Sequence, residues 1–234
     1  MSASRFLVLD TETTGLDVHE GHRIIEVGCV EVNNFQITER EFHAYVNPER
    51  EIDPEAQKVH GLSLARLSNE PVFTEIASDF LEFVRDNEVV IHNASFDIPF
   101  LNNELKLSGY EERVDQVCKV VDSLEIAGRK HARQYNNLDA LCKRYNVDTT
   151  TREEAHGALV DARLLARVYI KMTAGEVGLF SDSESQSQRK EHALDPAAYK
   201  RMRPILVRAT DEEIEAHEAY IRDLQPRLQE SEGP

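Results

Sequence analysis

Phe6 to Leu9 form a short apolar run that enters the acidic, threonine-rich segment DTETTG at 10 to 15, the pattern of a buried strand feeding a turn at Gly15. Ile24 to Val32 and Phe35 to Val46 are rich in β-branched and aromatic residues. They are separated by Asn33 and Asn34, which predicts an antiparallel hairpin, and with the first strand at the centre they make a three-stranded meander. Beyond Pro71 the apolar positions Val72, Phe73, Ile76, Phe80, Phe83 and Val84 recur at helical spacing, and Val89 to Ile91 read as another buried strand before His92. Helical patterns follow near 98–107, 122–128, 138–145 and 157–173, with a short strand near 117–121. Strands and helices interleave, so the expected class is α/β with a mixed sheet flanked by helices.

Composition changes after Gly175. Ser181 to Lys190, SDSESQSQRK, holds no apolar residue and reads as a flexible linker. The expected division is a domain over 1–174, a linker over 175–193 and a tail over 194–234. In the tail, Thr210 and Glu213 fit a capping box, and Ile214, Ile221 and Leu224 form a narrow stripe that Pro226 ends. A stripe that narrow cannot build a core, so the segment either frays alone or docks on a partner.

The 234 residues carry 27 Lys and Arg against 43 Asp and Glu, a formal charge of −16. No global basic field advertises nucleic acid, which taken alone argues weakly against such a partner. Cys29, Cys118 and Cys142 are odd in number and far apart, so they supply neither a disulfide framework nor a zinc knuckle. The N-terminus does not resemble a signal peptide, and no stretch is apolar for long enough to span a bilayer, so the expectation is a cytoplasmic protein without a membrane partner.

Against that background four carboxylates and a histidine stand out. Asp10 and Glu12 lie two apart at a strand end and therefore share a face, where like charges repel unless a cation or a proton lies between them. Asp97 follows the Val89 to Ile91 strand through HNASF, and adjacent strand ends of an α/β sheet form a crevice. Asp161 lies in the first turns of the last domain helix, and His156 precedes Gly157. Singly, each has an ordinary explanation: a solvated turn, a surface histidine, an acid favoured at a helix N-terminus.

Together, DTETTG at 10–15, HNASFD at 92–97 and HGALVDA at 156–162 resemble, in order and spacing, the three motifs of the DEDDh 3′–5′ exonucleases. The resemblance implies a ribonuclease-H-like fold and release of nucleoside 5′-monophosphates from a 3′ end. It further implies two divalent ions, Mg²⁺ or Mn²⁺, held by Asp10, Glu12, Asp97 and Asp161, with His156 as general base. The residue chemistry is compatible: carboxylates without cysteine or paired histidine favour hard cations, and an imidazole near neutrality suits proton abstraction from water.

The likeness extends over residues 5 to 174. EGHRIIEVG, DPEAQKVHGL, CKVVDSL and NNLDALCKRY resemble the family of proofreading epsilon subunits of bacterial DNA polymerase III, and ATDEEIEAHE at 209–218 resembles their polymerase-binding tail. That resemblance implies that Glu55 and His60 contact the terminal nucleotide of a single-stranded or frayed DNA 3′ end, with Thr13, Leu16 and Phe96 near its sugar and base, alongside Asp10, Glu12 and Asp161. It implies attachment to the polymerase alpha subunit through the tail. It also places a sliding-clamp peptide at Glu176 to Phe180, where glutamate stands in place of the family's glutamine. Two other classes stay open on the sequence: a stand-alone DEDDh exonuclease trimming RNA or single-stranded DNA, and a catalytically silent polymerase-binding module.

Overall fold

The computed structural model describes residues 5–150 and 157–184. Contacts divide the chain into a unit Met1–Asp182 and a second unit Ser183–Pro234, and the predicted tail helix lies outside the described residues.

The first unit is built on one five-stranded sheet. Strand β1 (Arg5–Thr13) pairs antiparallel with β2 (Ile24–Asn33), which pairs antiparallel with β3 (Gln36–Tyr45). On its other side β1 runs parallel to β4 (Glu88–Ile91), and β4 runs parallel to β5 (Lys119–Asp122), giving the order β3-β2-β1-β4-β5. The expected meander and the central position of the first strand are both present. One boundary differs. Phe35, expected to open the second hairpin strand, forms the turn with Asn34, both at positive φ (61° and 50°). A two-residue turn whose twist matches the sheet needs positive φ at both central positions, so the geometry of the turn overrides the aromatic preference for a strand.

Alternation along β1 sorts its side chains to two cores. Leu7 and Leu9 face α3 (Phe73–Val84), α4 (Ala94–Leu107) and α5 (Val114–Val117), packing with Phe80, Leu101 and Val114. Phe6 and Val8 face α6 (Ser123–Lys130), α7 (Leu138–Arg144) and a last helix, α8 (Ala158–Glu184), packing with Ala127, Leu141 and Leu165. Each fully buried Leu or Phe contributes about 1.5–3 kcal/mol relative to exposure, so these faces fix the register of the acidic residues that continue the strand. Two short helices, α1 (Pro54–His60) and α2 (Leu64–Leu67), pack with a smaller group around Ile25, Ile52 and Leu67.

Two polar fixtures hold the ends of α4 and α6 against the sheet. Glu104 of α4 is buried and takes Arg23 Nε and Nη2 at 2.7 Å each, while its Oε1 also accepts from Ile24 N. This clamps α4 to the start of β2. At the end of β5, Asp122 accepts from the backbone N–H groups of Asn93, Ala94 and Leu124, capping α4 and α6 together. Because α4 begins at Ala94, earlier than the apolar pattern indicated, Asp97 lies inside its first turn. Helix α8 runs past the 157–173 repeat to Glu184, so residues 176–180 lie on helical backbone. All three cysteines are buried and none is in a disulfide, and no helix among the described residues is long and apolar enough to cross a membrane.

Candidate active site

Beyond Leu9, β1 carries Asp10 and Glu12 on the face that α8 covers, whereas Thr11 points to the α4 face. Asp161 comes from the first turn of α8, its backbone N–H donating to Gly157 O at 3.0 Å. One ligand oxygen from each of Asp10, Glu12 and Asp161 falls within 4.8 Å of the others. Three carboxylates at that spacing are a set of hard oxygen donors that fits a divalent cation of the Mg²⁺ or Mn²⁺ type and lacks the nitrogen and sulfur ligands zinc prefers.

Gly28 makes this convergence possible. It stands opposite Asp10 in the β1–β2 register, and a Cβ there would lie 2.2 Å from Leu159 N and 2.4 Å from the Ala158 carbonyl carbon. The start of α8 therefore rests directly on bare β2 backbone, the approach that brings Asp161 down to β1. Beside it, Glu26 is buried in β2 opposite Glu12, with Oε1 at 2.8 Å from His43 Nε2. A Cβ on Gly157 would come within 3.2 Å of both Glu26 carboxylate oxygens, so this acid abuts the first turn of α8 as well.

Asp97 is reached from the other face. It is buried, and its Oδ1 accepts the Thr11 hydroxyl at 2.6 Å. Burial pushes this carboxyl up to about 7, against the opposing hydrogen bonds from Thr11 and the backbone. The structure thus gathers Asp10, Glu12 and Asp161 directly, and it ties Asp97 to them through the residue that separates Asp10 from Glu12. His156 lies outside the described residues, one position before Gly157.

The expected nucleotide contacts sit in loops tied to the end of β1. Asp53 N donates to Thr14 O at 2.9 Å, which fastens the start of α1 beside the strand end. Thr13 is buried with its hydroxyl donating to Gly15 O, whereas Leu16 is 84% exposed and offers an apolar face. His22 packs its ring over Gly15, where a Cβ would meet it at 2.2 Å, and its Nδ1 lies 3.0 Å from Thr14 Oγ1. Glu55 is exposed and pairs with Lys58, while His60 is buried with Nδ1 accepting from Leu62 N, which leaves the proton on Nε2. Burial pushes the His60 imidazole down, so it is neutral at physiological pH. Phe96 stacks at a tilt on Phe100, 5.1 Å between centroids.

Sequence reasoning did not single out Thr11, Glu26, His43 or Gly28. Thr11 and Gly28 stand inside the motif stretches, but their roles depend on groups about 86 and 131 positions away, which no local pattern displays.

A mixed sheet of this order, crossed at its central strand by a cluster of carboxylates from two elements, defines a carboxylate-centred hydrolase of the ribonuclease-H-like class. The exonuclease family model RNase_T matches residues 7–169, and the chain belongs to that family. Over 231 residues it is 42% identical to DNA polymerase III subunit epsilon of Escherichia coli (strain K12), covering 96% of this chain and 95% of that one. It is 41% identical over 226 residues to the protein of that name from Rickettsia felis, covering 96% and 98%. Among solved structures, exonuclease X in complex with 5′ overhanging duplex DNA shares the fold at a TM-score of 0.60 and 23% identity, covering 74% of this chain and 93% of that one. The nuclease domain of 3′hExo, a DEDDh family member bound to rAMP, shares it at 0.63 and 19%, covering 74% and 94%.

Proposed function

We propose that this chain is the proofreading 3′–5′ exonuclease subunit of a bacterial DNA polymerase III, removing nucleoside 5′-monophosphates from a frayed primer end. The observation that carries the proposal is the convergence of Asp10, Glu12 and Asp161, in a chain similar along nearly its whole length to proteins named as that subunit.

Asp10, Glu12 and Asp161 would hold two Mg²⁺ or Mn²⁺ ions, with Asp97 joining them directly or through water. Such ions, when bound, stabilise charge on the attacking and leaving oxygens of an in-line phosphoryl displacement. The protein's own contributions are positional. Gly28 sets the height of α8 and so of Asp161. Thr11 orients Asp97. His156 takes the proton of the attacking water, a contribution of about 10² to 10⁴ in rate. Glu55 and His60 contact the terminal nucleotide, while Thr13, Leu16 and Phe96 lie near its sugar and base. Apolar and aromatic faces stack on any base, so selection of mispairs comes from the lower cost of melting a frayed end. Residues 194–234 attach the chain to the alpha subunit, 175–193 link them, and Glu176 to Phe180 touch the sliding clamp.

The test combines co-purification with the alpha subunit and hydrolysis of primers with paired or mispaired 3′ ends. The full chain is expected to co-purify and to trim mispaired DNA faster than paired DNA. Robust RNA trimming with neither alpha binding nor a mispair preference would replace this function with that of a stand-alone exonuclease.

A further inference from the structure

Many basic residues of the described domain face carboxylates, whereas Arg50 and Lys171 donate to backbone carbonyls and Arg66 lies over the Tyr45 ring. Arg5, Arg23, Arg40, Arg85, Arg113 and Arg163 each form an ion pair with a carboxylate. Around the loop between α6 and α7 the pattern changes. Residues 129 to 144 hold Arg129, Lys130, Arg133, Lys143 and Arg144 against a single acid, Asp139, with Arg129 paired at 3.9 Å to Glu125 one turn earlier. Arg133, Lys143 and Arg144 make no ion pair with a carboxylate among the described residues. Arg144 instead donates Nη1 to Asn136 Oδ1 at 3.0 Å and Nη2 to Tyr135 O at 2.8 Å, which braces the loop while leaving its charge uncompensated. The potential is felt locally: burial, then the charges of Arg144 and Lys130, push the His131 imidazole down.

This cationic loop also presents an aromatic face. Tyr135 is 87% exposed, and with Gln134, Ala140, Lys143 and Arg144 it lines an open depression of about 500 Å³. Arg133 holds a positive φ of 64°, so the loop turns sharply just before it offers the ring. Its place is beside the carboxylates. His92 follows Ile91, which pairs with Leu9 next to Asp10, and it shares the alternation of Val90 toward the α6, α7 and α8 face. The His92 Nδ1 lies 2.9 Å from Ser123 Oγ at the start of α6, and the backbone of Asn136 stands close enough to oppose the downward push that burial gives its imidazole. The loop therefore borders the face of the sheet that carries Asp10 and Glu12.

We propose that the α6–α7 loop is a binding track for the single-stranded nucleic-acid segment behind the scissile nucleotide, with Arg133, Lys143 and Arg144 taking backbone phosphates and Tyr135 stacking on a base. Unpaired cations interleaved with an exposed ring are what a sequence-tolerant strand contact requires, and an acidic protein needs such a contact near its site to hold a polyanion. The inference rests on the exonuclease function and adds the surface that receives the rest of the strand.

The test compares the full wild-type chain with the Arg133→Glu, Lys143→Glu double variant and with Tyr135→Ala on two substrates. One is an oligothymidylate. The other is the nitrophenyl ester of thymidine 5′-monophosphate, which is too small to reach the loop. The double variant is expected to raise the oligonucleotide KM about tenfold and to flatten the dependence of log kcat/KM on log salt by about 1.4, the share of two lost phosphate contacts on a single strand. Tyr135→Ala is expected to raise the oligonucleotide KM about tenfold with the salt slope intact. Ester hydrolysis is expected to be unchanged in all three chains. An unchanged oligonucleotide KM and salt slope, or an equal loss on both substrates, overturns the track. Normal oligonucleotide kinetics with lost binding to a polymerase subunit makes the loop a protein interface and overturns it too. Failure of the wild-type chain to hydrolyse either substrate with Mg²⁺ or Mn²⁺ refutes the exonuclease function itself.

Discussion

Glu31 and Glu104 are buried acids that meet arginines; Asp10, Glu12 and Asp161 are acids that meet one another. Glu104 receives Arg23 through two nitrogens and Ile24 N besides, and Glu31 receives Arg5, Arg40 and Thr38. These acids fasten α4 to β2 and tie β2 to β1 and β3. The second set is drawn from β1 and α8 and is gathered within 4.8 Å, an arrangement whose like-charge repulsion a bound divalent cation would offset. The contrast separates acids paired with cationic side chains from acids gathered as a candidate cation site, and the two sets are expected to respond oppositely to mutation.

Asp161→Asn is the strongest test of the second set. It is expected to lower kcat for 3′ hydrolysis by about three orders of magnitude, the scale of several kcal/mol of charge stabilisation, with an unchanged or raised Tm in metal-free buffer. A lower Tm with activity retained would move Asp161 to the structural set. Glu104→Ala is expected to do the reverse, costing about 3 kcal/mol in urea unfolding because Arg23 loses its buried partner, while activity per folded molecule persists. Gly28→Ala bridges the sets. Its methyl group would have to displace α8 backbone, so chain stability and metal affinity are expected to fall together, by about 1–3 kcal/mol in unfolding, read by denaturation and by metal titration of the same sample. Metal affinity unaffected by Gly28→Ala would mean that α8 finds Asp161's position without resting on β2.

The smallest effect is in pH. Burial pushes the Glu31 carboxyl up, but hydrogen bonds from Arg5, Arg40 and Thr38 outweigh it and leave the group below its ordinary value. A depressed folded-state value stabilises the protein above the ordinary glutamate range and is lost as pH falls through the depressed value. Asp97 has the opposite sign: pushed up to about 7, it stabilises the metal-free fold below the ordinary aspartate range, and that contribution drains away as pH rises toward 7. Replacing Glu31 by Gln is expected to flatten the acid limb of Tm against pH, and replacing Asp97 by Asn the limb between the aspartate range and neutrality.

Much of the site was legible because its parts are local. Asp10 and Glu12 share a face by strand alternation alone, and the three short motifs each fall where an element begins or ends. The placement of Asp97 on the Thr11 side was not legible, since α4 starts at Ala94 behind a left-handed Asn93 and a cap from Asp122, a signal spread over three separate segments. Short α1 and α2 escaped because their few residues show no periodicity, although Asp53-Pro54 is a plain helix start. Phe35 misled because an aromatic in a left-handed turn contradicts its usual strand preference. The length of α8 was hidden by the polar composition from Ser181 onward, which matches a linker as well as the end of a helix.

The most direct measurement of the central claim is the release of nucleoside 5′-monophosphates from a primer with a mispaired 3′ end, followed with Mg²⁺ or Mn²⁺ for the wild-type chain and for Asp10→Ala. The account predicts stepwise 3′ release by the wild-type chain that chelation stops, and none by the variant. Equal hydrolysis by both chains, or release unaffected by chelation, would contradict it.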